Sequence, residues 1–213
     1  MRSFKFTLDR KSLEVFYVSF IRQILEYADV VWDNLAQSEE DDLEKIQLEA
    51  AKIICGATNL VSINNLYSET GLEPLSIRRR THRLIVFYKM YHALAPRYLS
   101  SLIPSHVGNI NSYNLRNSSN LRNISCRSQL LSKSFLPSTI NSWNSLTDEV
   151  RSAPSLNSFK SLLSRGRKDV PLFYYEGDRQ TSVYHARLRT HCSNLNEHLF
   201  TKKHSRESSL YLW

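Results

Sequence analysis

The amino-acid sequence predicts an all-α fold, with a helical hairpin, further packed helices and a long basic loop. The first observation is the spacing of large apolar side chains across residues 9–35, which follows the 3.6-residue period of one helix face. These side chains are Leu13, Phe16, Tyr17, Phe20, Ile21, Ile24, Leu25, Ala28, Val31 and Trp32. The second observation is that strand signals are weak throughout the chain.

The first predicted helix spans residues 9–35, because Asp9 can cap the free N–H groups of its first turn and the apolar spacing continues to Trp32. Within it, Tyr27, Ala28 and Asp29 resemble the start of the polymerase metal motif Tyr-Ala-Asp-Asp. Two-metal chemistry needs paired carboxylates on a tight hairpin, and the fourth residue here is Val30. We therefore expect Ala28 in the core and Asp29 in solvent.

Capping signals divide the next part of the chain into helices. Ser38 opens a second helix that Gly56 ends, and the short connection predicts antiparallel packing against the first. A short helix runs from Ser62 to Gly71. Further helices are predicted at 74–93, from 134, from 155 and within 182–200, with one more turn at 97–102 and a loop rich in Asn and Ser at 104–127. The predicted segments are a helical domain (1–103), a basic loop (104–133), a helical continuation (134–165) and a partly disordered C-terminal appendage (166–213).

The net charge of +8 conceals a strong asymmetry along the chain. Residues 1–73 hold seven Lys/Arg and 13 Asp/Glu, whereas residues 74–147 hold ten Lys/Arg and no acid. Residues 148–213 hold eleven Lys/Arg and seven acids. Ten cations without a local anion require either an external partner or the acidic N-terminal third of the chain.

Clustered arginines in the helix at 74–93 are the best functional signal. Four of them span little more than one helical turn, so they cannot all face the core, and guanidinium groups suit phosphate oxygens. The predicted nucleic-acid-binding residues are Arg78, Arg79, Arg80, Arg83, Lys89, Arg97 and Arg116. Tyr113 in the loop is available for stacking on a base. The alternative is a solvated cationic face, or one paired with the acids at 39–42.

Several classes of site are not expected. The sequence contains no P-loop, dinucleotide fingerprint or Gly-x-Ser-x-Gly motif, so we expect no cofactor and no small-molecule substrate. The His and Cys residues near the C-terminus are spaced too loosely for a typical zinc site. No run approaches the ~18 apolar residues of a membrane span. Three widely separated cysteines fit a reducing compartment, which predicts an intracellular protein, nuclear or cytoplasmic.

An ordered set of phrases carries a family resemblance across about residues 8–200. Examples are Ser-Tyr-Asn-Leu-Arg-Asn at 112–117 and Trp-Asn-Ser-Leu at 143–146. The other phrases lie at 19–33, 43–47, 50–51, 56–58, 72–75, 78–80, 87–90, 135–137, 155–160, 185–190 and 195–200. Together they resemble the region after the polymerase core in non-LTR retrotransposon reverse transcriptases, especially those of jockey-like elements.

The resemblance implies the thumb and post-thumb region of an RNA-directed DNA polymerase, which packs beside the template–primer duplex. The family's fingers and palm lie upstream of the matched region, so the catalytic aspartates are absent and no enzymatic activity is expected. The Cys-x-Cys of the family's C-terminal knuckle is also missing after Phe200. The expected partner is RNA or an RNA–DNA hybrid, bound without sequence preference, and a polymerase palm domain is the second. The alternatives are a helical protein-interaction module or a degenerate remnant without activity.

Overall fold

The structure, a computed structural model, describes residues 1–58, 60–109, 118–164 and 178–190. Within these residues the protein is all-α, as predicted. The helices are α1 (Arg10–Phe16), α2 (Arg22–Leu25), α3 (Asp29–Trp32), α4 (Gln37–Cys55), α5 (Ile63–Thr70), α6 (Leu75–Tyr91), α7 (Arg97–Ser100), α8 (Gln129–Lys133), α9 (Phe135–Asn144), α10 (Asp148–Arg151), α11 (Leu156–Leu163) and α12 (Arg179–Arg189). No helix among the described residues is long and apolar enough to cross a membrane.

The structure confirms several helix ends that capping signals in the sequence predicted. The side chain of Asp9 accepts a hydrogen bond from the Ser12 N–H, and Ser62 caps α5 in the same way. Gly56 follows α4 and Gly71 follows α5, both with the positive φ that terminates a helix. These ends are set by local chemistry, so the sequence alone locates them.

The single helix predicted for residues 9–35 is wrong. A π-helical segment, Tyr17–Ile21, joins α1 to α2, and the chain then breaks before α3. At the break Ala28 adopts a left-handed conformation with φ 52°. A non-glycine residue in this conformation is strained, so surrounding contacts must hold it there.

The expected burial along this stretch is also wrong in part. Leu13 and Tyr17 are fully buried, but the side chains of Ile24 and Val31 are 76% and 85% exposed. Ala28 is exposed, whereas Asp29, which we expected in solvent, is only 4% exposed. The reversal arises because Asp29 Oδ2 lies 2.5 Å from His82 Nδ1 on another helix, and apolar spacing carries no information about such contacts.

Packing divides the chain into two units that each combine separated stretches. Unit 1 comprises Met1–Leu25, Asp41–Pro74 and Lys168–Trp213, and unit 2 comprises Glu26–Glu40 and Leu75–Arg167. The four consecutive segments proposed from the sequence stay a prediction about chain organisation. The described contacts group the chain differently, because they bring together residues that are distant in sequence.

Unit 1 is built on the packing of α1 and the π-helical segment against α4. Leu13 and Tyr17 form an apolar cluster with Ala50 and Ile54. The Tyr17 hydroxyl donates to Gln47 Oε1 at 2.7 Å, which satisfies two polar side chains in this core. The N-terminal part of the first predicted helix therefore packs against the second predicted helix. In the same unit α12 packs on the end of α4, where Cys55 and Ala186 are both buried.

Unit 2 is organised around α6, whose buried face carries an aromatic cluster. The Phe87 ring lies 5.2 Å from the Trp143 ring of α9, and the Tyr88 ring lies 4.5 Å from the Phe159 ring of α11 (centroid distances). The Tyr88 hydroxyl donates to the Ala153 carbonyl at 2.8 Å. The helices α6, α9 and α11 are distant in sequence, yet they share one apolar core with α6 at its centre.

A side chain of α9 holds the described part of the Asn/Ser-rich loop. The Leu121 N–H donates to Asn144 Oδ1 at 3.0 Å, and Asn144 Nδ2 donates to the Leu121 carbonyl at 2.9 Å. Leu121 itself is buried in the unit 2 core. The short extended piece expected around 113–115 lies outside the described residues. Where it is described, the loop contains a short 3-10 helix, Val107–Asn109, and an isolated bridge between His106 and Leu121.

Trp143→Ala should lower the free energy of unfolding of unit 2 by about 3–5 kcal/mol, because it empties the centre of the aromatic cluster. Urea denaturation followed by circular dichroism measures this loss. Tyr98→Ala is the control, because Tyr98 belongs to the same unit but is exposed, and it should change stability little. Equal losses for both variants would contradict the assignment of the core.

Cys55 should resist alkylation while the protein is folded. Burial raises the pKa of its thiol to about 11, so the reactive thiolate is scarce at pH 8 and reagent cannot reach it. Cys126 is partly exposed and should react first. Iodoacetamide labelling with peptide mass spectrometry compares the two sites, and denaturant should make their rates similar. Rapid labelling of Cys55 without denaturant would show that α12 does not pack on α4 as described.

Candidate nucleic-acid interface

The cations of α6 face a stretch of unit 2 that is rich in carboxylates. This acidic segment, Glu26–Glu40, contains five Asp or Glu residues and no Lys or Arg. Its carboxylates at 26, 29 and 33 recur at helical spacing, and α6 presents basic side chains at 78, 79, 82 and 83. Opposite charges at matching spacing allow several ion pairs to form between the same two elements.

One carboxylate of the acidic segment serves two arginines. Asp33 Oδ1 accepts from Arg79 Nε at 2.6 Å, and Asp33 Oδ2 lies 3.1 Å from Arg83 Nε. The two arginines are four residues apart, so they stand on the same side of α6. Arg79 also lies 3.8 Å from Glu40 and is only 2% exposed. Its guanidinium is therefore committed to ion pairs inside unit 2.

Two further pairs join the same elements. Arg78 binds Glu26 through both carboxylate oxygens, with Nη2 at 2.9 Å from Oε2. His82 Nδ1 lies 2.5 Å from Oδ2 of the buried Asp29. These two contacts flank Ala28, and they hold the left-handed turn between α2 and α3 in place.

An aromatic contact adds to the ion pairs. The guanidinium of Arg79 lies 6.0 Å from the centroid of the Trp32 ring, which is within the range of a cation–π interaction. The Trp32 Nε1–H donates to the Tyr27 carbonyl at 2.6 Å, which fixes the indole. A buried arginine with carboxylates and a ring as neighbours has its charge compensated without any external partner.

The arginines that cluster in the sequence thus fall into two groups, those paired with carboxylates and those exposed to solvent. Arg78, Arg79 and Arg83 have internal carboxylate partners, which is the second of the two roles that the charge asymmetry allowed. Arg80 is exposed and its Nη2 lies 3.4 Å from Ser145 Oγ. The phosphate contacts predicted for the paired arginines stay a prediction, and this geometry favours them least for Arg79.

The remaining predicted residues occupy other positions. Lys89 and Arg97 are exposed, and Arg116 lies outside the described residues. Lys89 follows Arg80 by nine residues, about two and a half helical turns, so these two side chains lie on opposite sides of α6. A ligand that lies against one side of α6 therefore cannot contact both the Arg80 and the Lys89 side chain.

A cleft of about 440 Å³ in unit 2 brings Arg80 and Arg83 together with Lys133 of α8. We call it the α6 cleft, and its wall also contains Ser76 and Ser138. Arg83 Nη1 donates to Ser138 Oγ at 3.2 Å, so this guanidinium links Asp33 to the cleft wall. Lys133 is exposed and its Nζ donates to the Leu35 carbonyl at 3.2 Å. The cleft therefore presents clustered cations and hydroxyl groups beside two carboxylates, Asp33 and Glu40, which both pair with Arg79.

Sequence reasoning missed two residues of this region. Lys133 lies 50 residues beyond Arg83 in the chain, and only the packing of α8 and α9 brings it to α6. The position of Lys133 in the last turn of a short capped helix was the sole local signal. Asp33 lies within the first predicted helix and was given no role, although Arg79 and Arg83, the two residues that pair with it, stand four residues apart on α6.

Comparisons with protein-family models, with curated proteins and with solved structures found no match to this chain. Within the described ranges, no group of three or more His, Cys, Asp or Glu side chains is arranged to hold a metal ion. Of the loosely spaced zinc candidates, His185 is exposed on α12, and the others lie outside the described residues. The α6 cleft is thus interpreted from its own geometry.

Asp33→Asn should destabilise unit 2 by about 3–5 kcal/mol, because it leaves the buried Arg79 and the half-buried Arg83 without their shared carboxylate. Urea denaturation measures the change. The matched control is Asp148→Asn, which removes an exposed carboxylate from its ion pair with Arg151 and should have little effect. A loss no larger than that of the control would refute the structural role of Asp33.

Proposed function

We propose that this chain binds the phosphate backbone of RNA or an RNA–DNA hybrid through the α6 cleft, without sequence preference and without catalysing a reaction. The observation that carries the proposal is the convergence of Arg80, Arg83 and Lys133 on one surface. Unit 2 as a whole has 14 Lys/Arg and seven Asp/Glu, a net charge of +7. Such a surplus attracts polyanions at long range.

The internal ion pairs make the cleft more suitable for phosphate. The carboxylates of Asp33 and Glu40 would repel an anion, but Arg79 pairs with both of them and Arg83 also pairs with Asp33. The Arg83 guanidinium contacts both Asp33 and Ser138. Arg80 and Lys133 form no ion pair with any residue that the structure describes. The cleft therefore offers a phosphate the exposed cations of Arg80 and Lys133, the partly engaged guanidinium of Arg83 and nearby serine hydroxyl groups.

The proposal includes an origin for the chain. The ordered phrases of the sequence resemble the thumb and post-thumb region of non-LTR retrotransposon reverse transcriptases, a region that packs beside nucleic acid in that family. An all-helical fold and a basic surface agree with such a part of a polymerase. In this proposal the protein works inside the cell, in the nucleus or cytoplasm, and the free thiols of Cys55 and Cys126 support that setting.

A second candidate function is protein interaction, and exposed apolar side chains of unit 1 favour it. Phe20 and Ile24 are both more than half exposed, and the Phe16 ring lies 5.2 Å from the Phe20 ring. Large neighbouring apolar side chains in solvent are typical of docking surfaces. A polymerase palm domain is the partner that the family resemblance implies.

The double variant Arg80→Gln/Lys133→Gln should weaken binding to a labelled RNA–DNA hybrid and reduce the salt slope of log K by about two units, one for each lost phosphate contact. Fluorescence anisotropy between about 50 and 200 mM salt measures both quantities. The control is Lys11→Gln/Lys160→Gln, which removes the same charge from exposed positions outside the cleft.

Three outcomes separate the candidate functions. An equal slope change in both double variants would contradict the α6 cleft and indicate diffuse electrostatic attraction. No binding by a folded, monomeric protein would favour the interaction module. No binding by an aggregating chain would indicate that its exposed apolar surface needs a partner, and sedimentation velocity distinguishes these last two cases.

A further inference from the structure

A second basic groove lies in unit 1, between the N-terminal segment, the end of α4 and α12. Its volume is about 660 Å³, within the range of roughly 300–1,000 Å³ typical of ligand pockets. We call it the α12 groove. Its charged lining comprises Arg2, Lys5, Glu49, Lys52, Arg179 and Arg187. Five cations and one acid give this lining a net charge of +4.

The one acidic side chain of the α12 groove is already paired. Glu49 accepts from Arg2 Nη2 at 3.2 Å and from Lys52 Nζ at 3.1 Å. These two hydrogen bonds lower the pKa of Glu49, so it stays ionised and bound to its neighbours. Its charge is therefore compensated, and it does not oppose an anionic ligand.

Two arginines make the floor of the groove positive, although it is formed by the carbonyl end of a helix. The last carbonyls of a helix carry partial negative charge and normally disfavour anions. At the end of α4, Arg179 donates to the carbonyls of Ile53 and Ile54, and Arg187 Nε donates to the Gly56 carbonyl at 3.0 Å. Two guanidinium groups thus cover the carbonyls that would repel phosphate.

Glycine makes this arrangement possible. Gly56 has φ +65°, and a Cβ added there would lie 2.8 Å from Val183 Cγ1 of α12. Only a residue without a side chain allows α12 to approach so closely. The close approach is what brings the Arg187 guanidinium within hydrogen-bonding distance of the helix end.

Two aromatic rings stand exposed in the lining. Phe6 is 84% exposed and Tyr184 is 62% exposed, which is unusual for rings of this size. Lys5 Nζ lies 4.5 Å from the centroid of the Phe6 ring, so a cation and a flat apolar face are side by side. Alternating cationic and aromatic side chains are the elements that bind single-stranded nucleic acid by phosphate contact and base stacking.

We propose that the α12 groove binds single-stranded nucleic acid, with Phe6 and Tyr184 stacking on unpaired bases and Arg2, Lys5 and Arg187 contacting phosphates. A duplex is a poorer occupant because its base faces are already stacked and inaccessible to the two rings. An acidic peptide would use the cations but leave the rings in water. This site does not depend on the α6 cleft, which contacts the phosphate backbone and has no part in base stacking.

The test compares a labelled oligouridine with a labelled RNA–DNA hybrid of equal length, using the full chain. Phe6→Leu/Tyr184→Leu removes stacking and keeps the charge, so single-strand affinity should fall at least fivefold, the equivalent of about 1 kcal/mol of stacking. Hybrid affinity and the salt slope for both ligands should not change. Phe20→Leu/Tyr98→Leu is the control, because both of its rings are exposed outside the groove.

A second variant tests the charges. Arg2→Gln/Lys5→Gln should reduce the single-strand salt slope by about 1.4 units, at ~0.7 for each contact. Unchanged oligouridine binding in both variants would overturn the proposal, and so would displacement of oligouridine by polyglutamate at equal charge concentration. Arg80→Gln/Lys133→Gln should weaken hybrid binding but leave unchanged the fold loss that Phe6→Leu/Tyr184→Leu causes in oligouridine affinity, so failure of the α12 groove and failure of the α6 cleft are distinguishable.

Discussion

The shared carboxylate of Asp33 is the interaction on which unit 2 depends. It holds Arg79 and Arg83 on one side of α6, while Phe87 and Tyr88 of the same helix pack into the aromatic core. α6 is therefore held both by charge and by apolar contact. The two are not equivalent, because apolar packing tolerates small shifts, whereas a buried guanidinium without its carboxylate is very unfavourable. The ion pairs consequently specify the position of the helix more narrowly than its apolar face does.

Much of the fold was predictable because helix ends are local events. Asp9, Ser62, Gly56 and Gly71 act on backbone groups within a few residues, and their positions in the sequence were sufficient to locate the ends. The break at Ala28 was not predictable in this way. Its strain is offset by the contacts of Glu26 with Arg78 and of Asp29 with His82, some 52 residues away. Helical periodicity carries no information about contacts between residues so far apart in the chain.

The same reasoning applies to the candidate site residues, whose nucleic-acid contacts stay a prediction. Arginine clustering indicated a basic helix but did not show which guanidinium groups had internal partners. The exposed Arg80 and the buried Arg79 are adjacent in the chain and indistinguishable by composition. Lys133, Phe6 and Tyr184 contribute to surfaces that form only when distant segments pack, so a search for local motifs could not find them.

The attachment of the loop to α9 has an evolutionary consequence. Asn144 presents one acceptor and one donor to the Leu121 peptide, as a neighbouring β-strand would. Asp has no donor at neutral pH, and Gln is longer by one methylene group, so this position accepts essentially one residue type. The two bonds to Leu121 recognise backbone atoms, but Asn144 Nδ2 also donates to Asn123 Oδ1 at 3.1 Å, and the Leu121 side chain is buried in the core. One fixed amide on a helix thereby constrains the loop at positions 121 and 123 together, so a substitution at any one of the three residues affects the others.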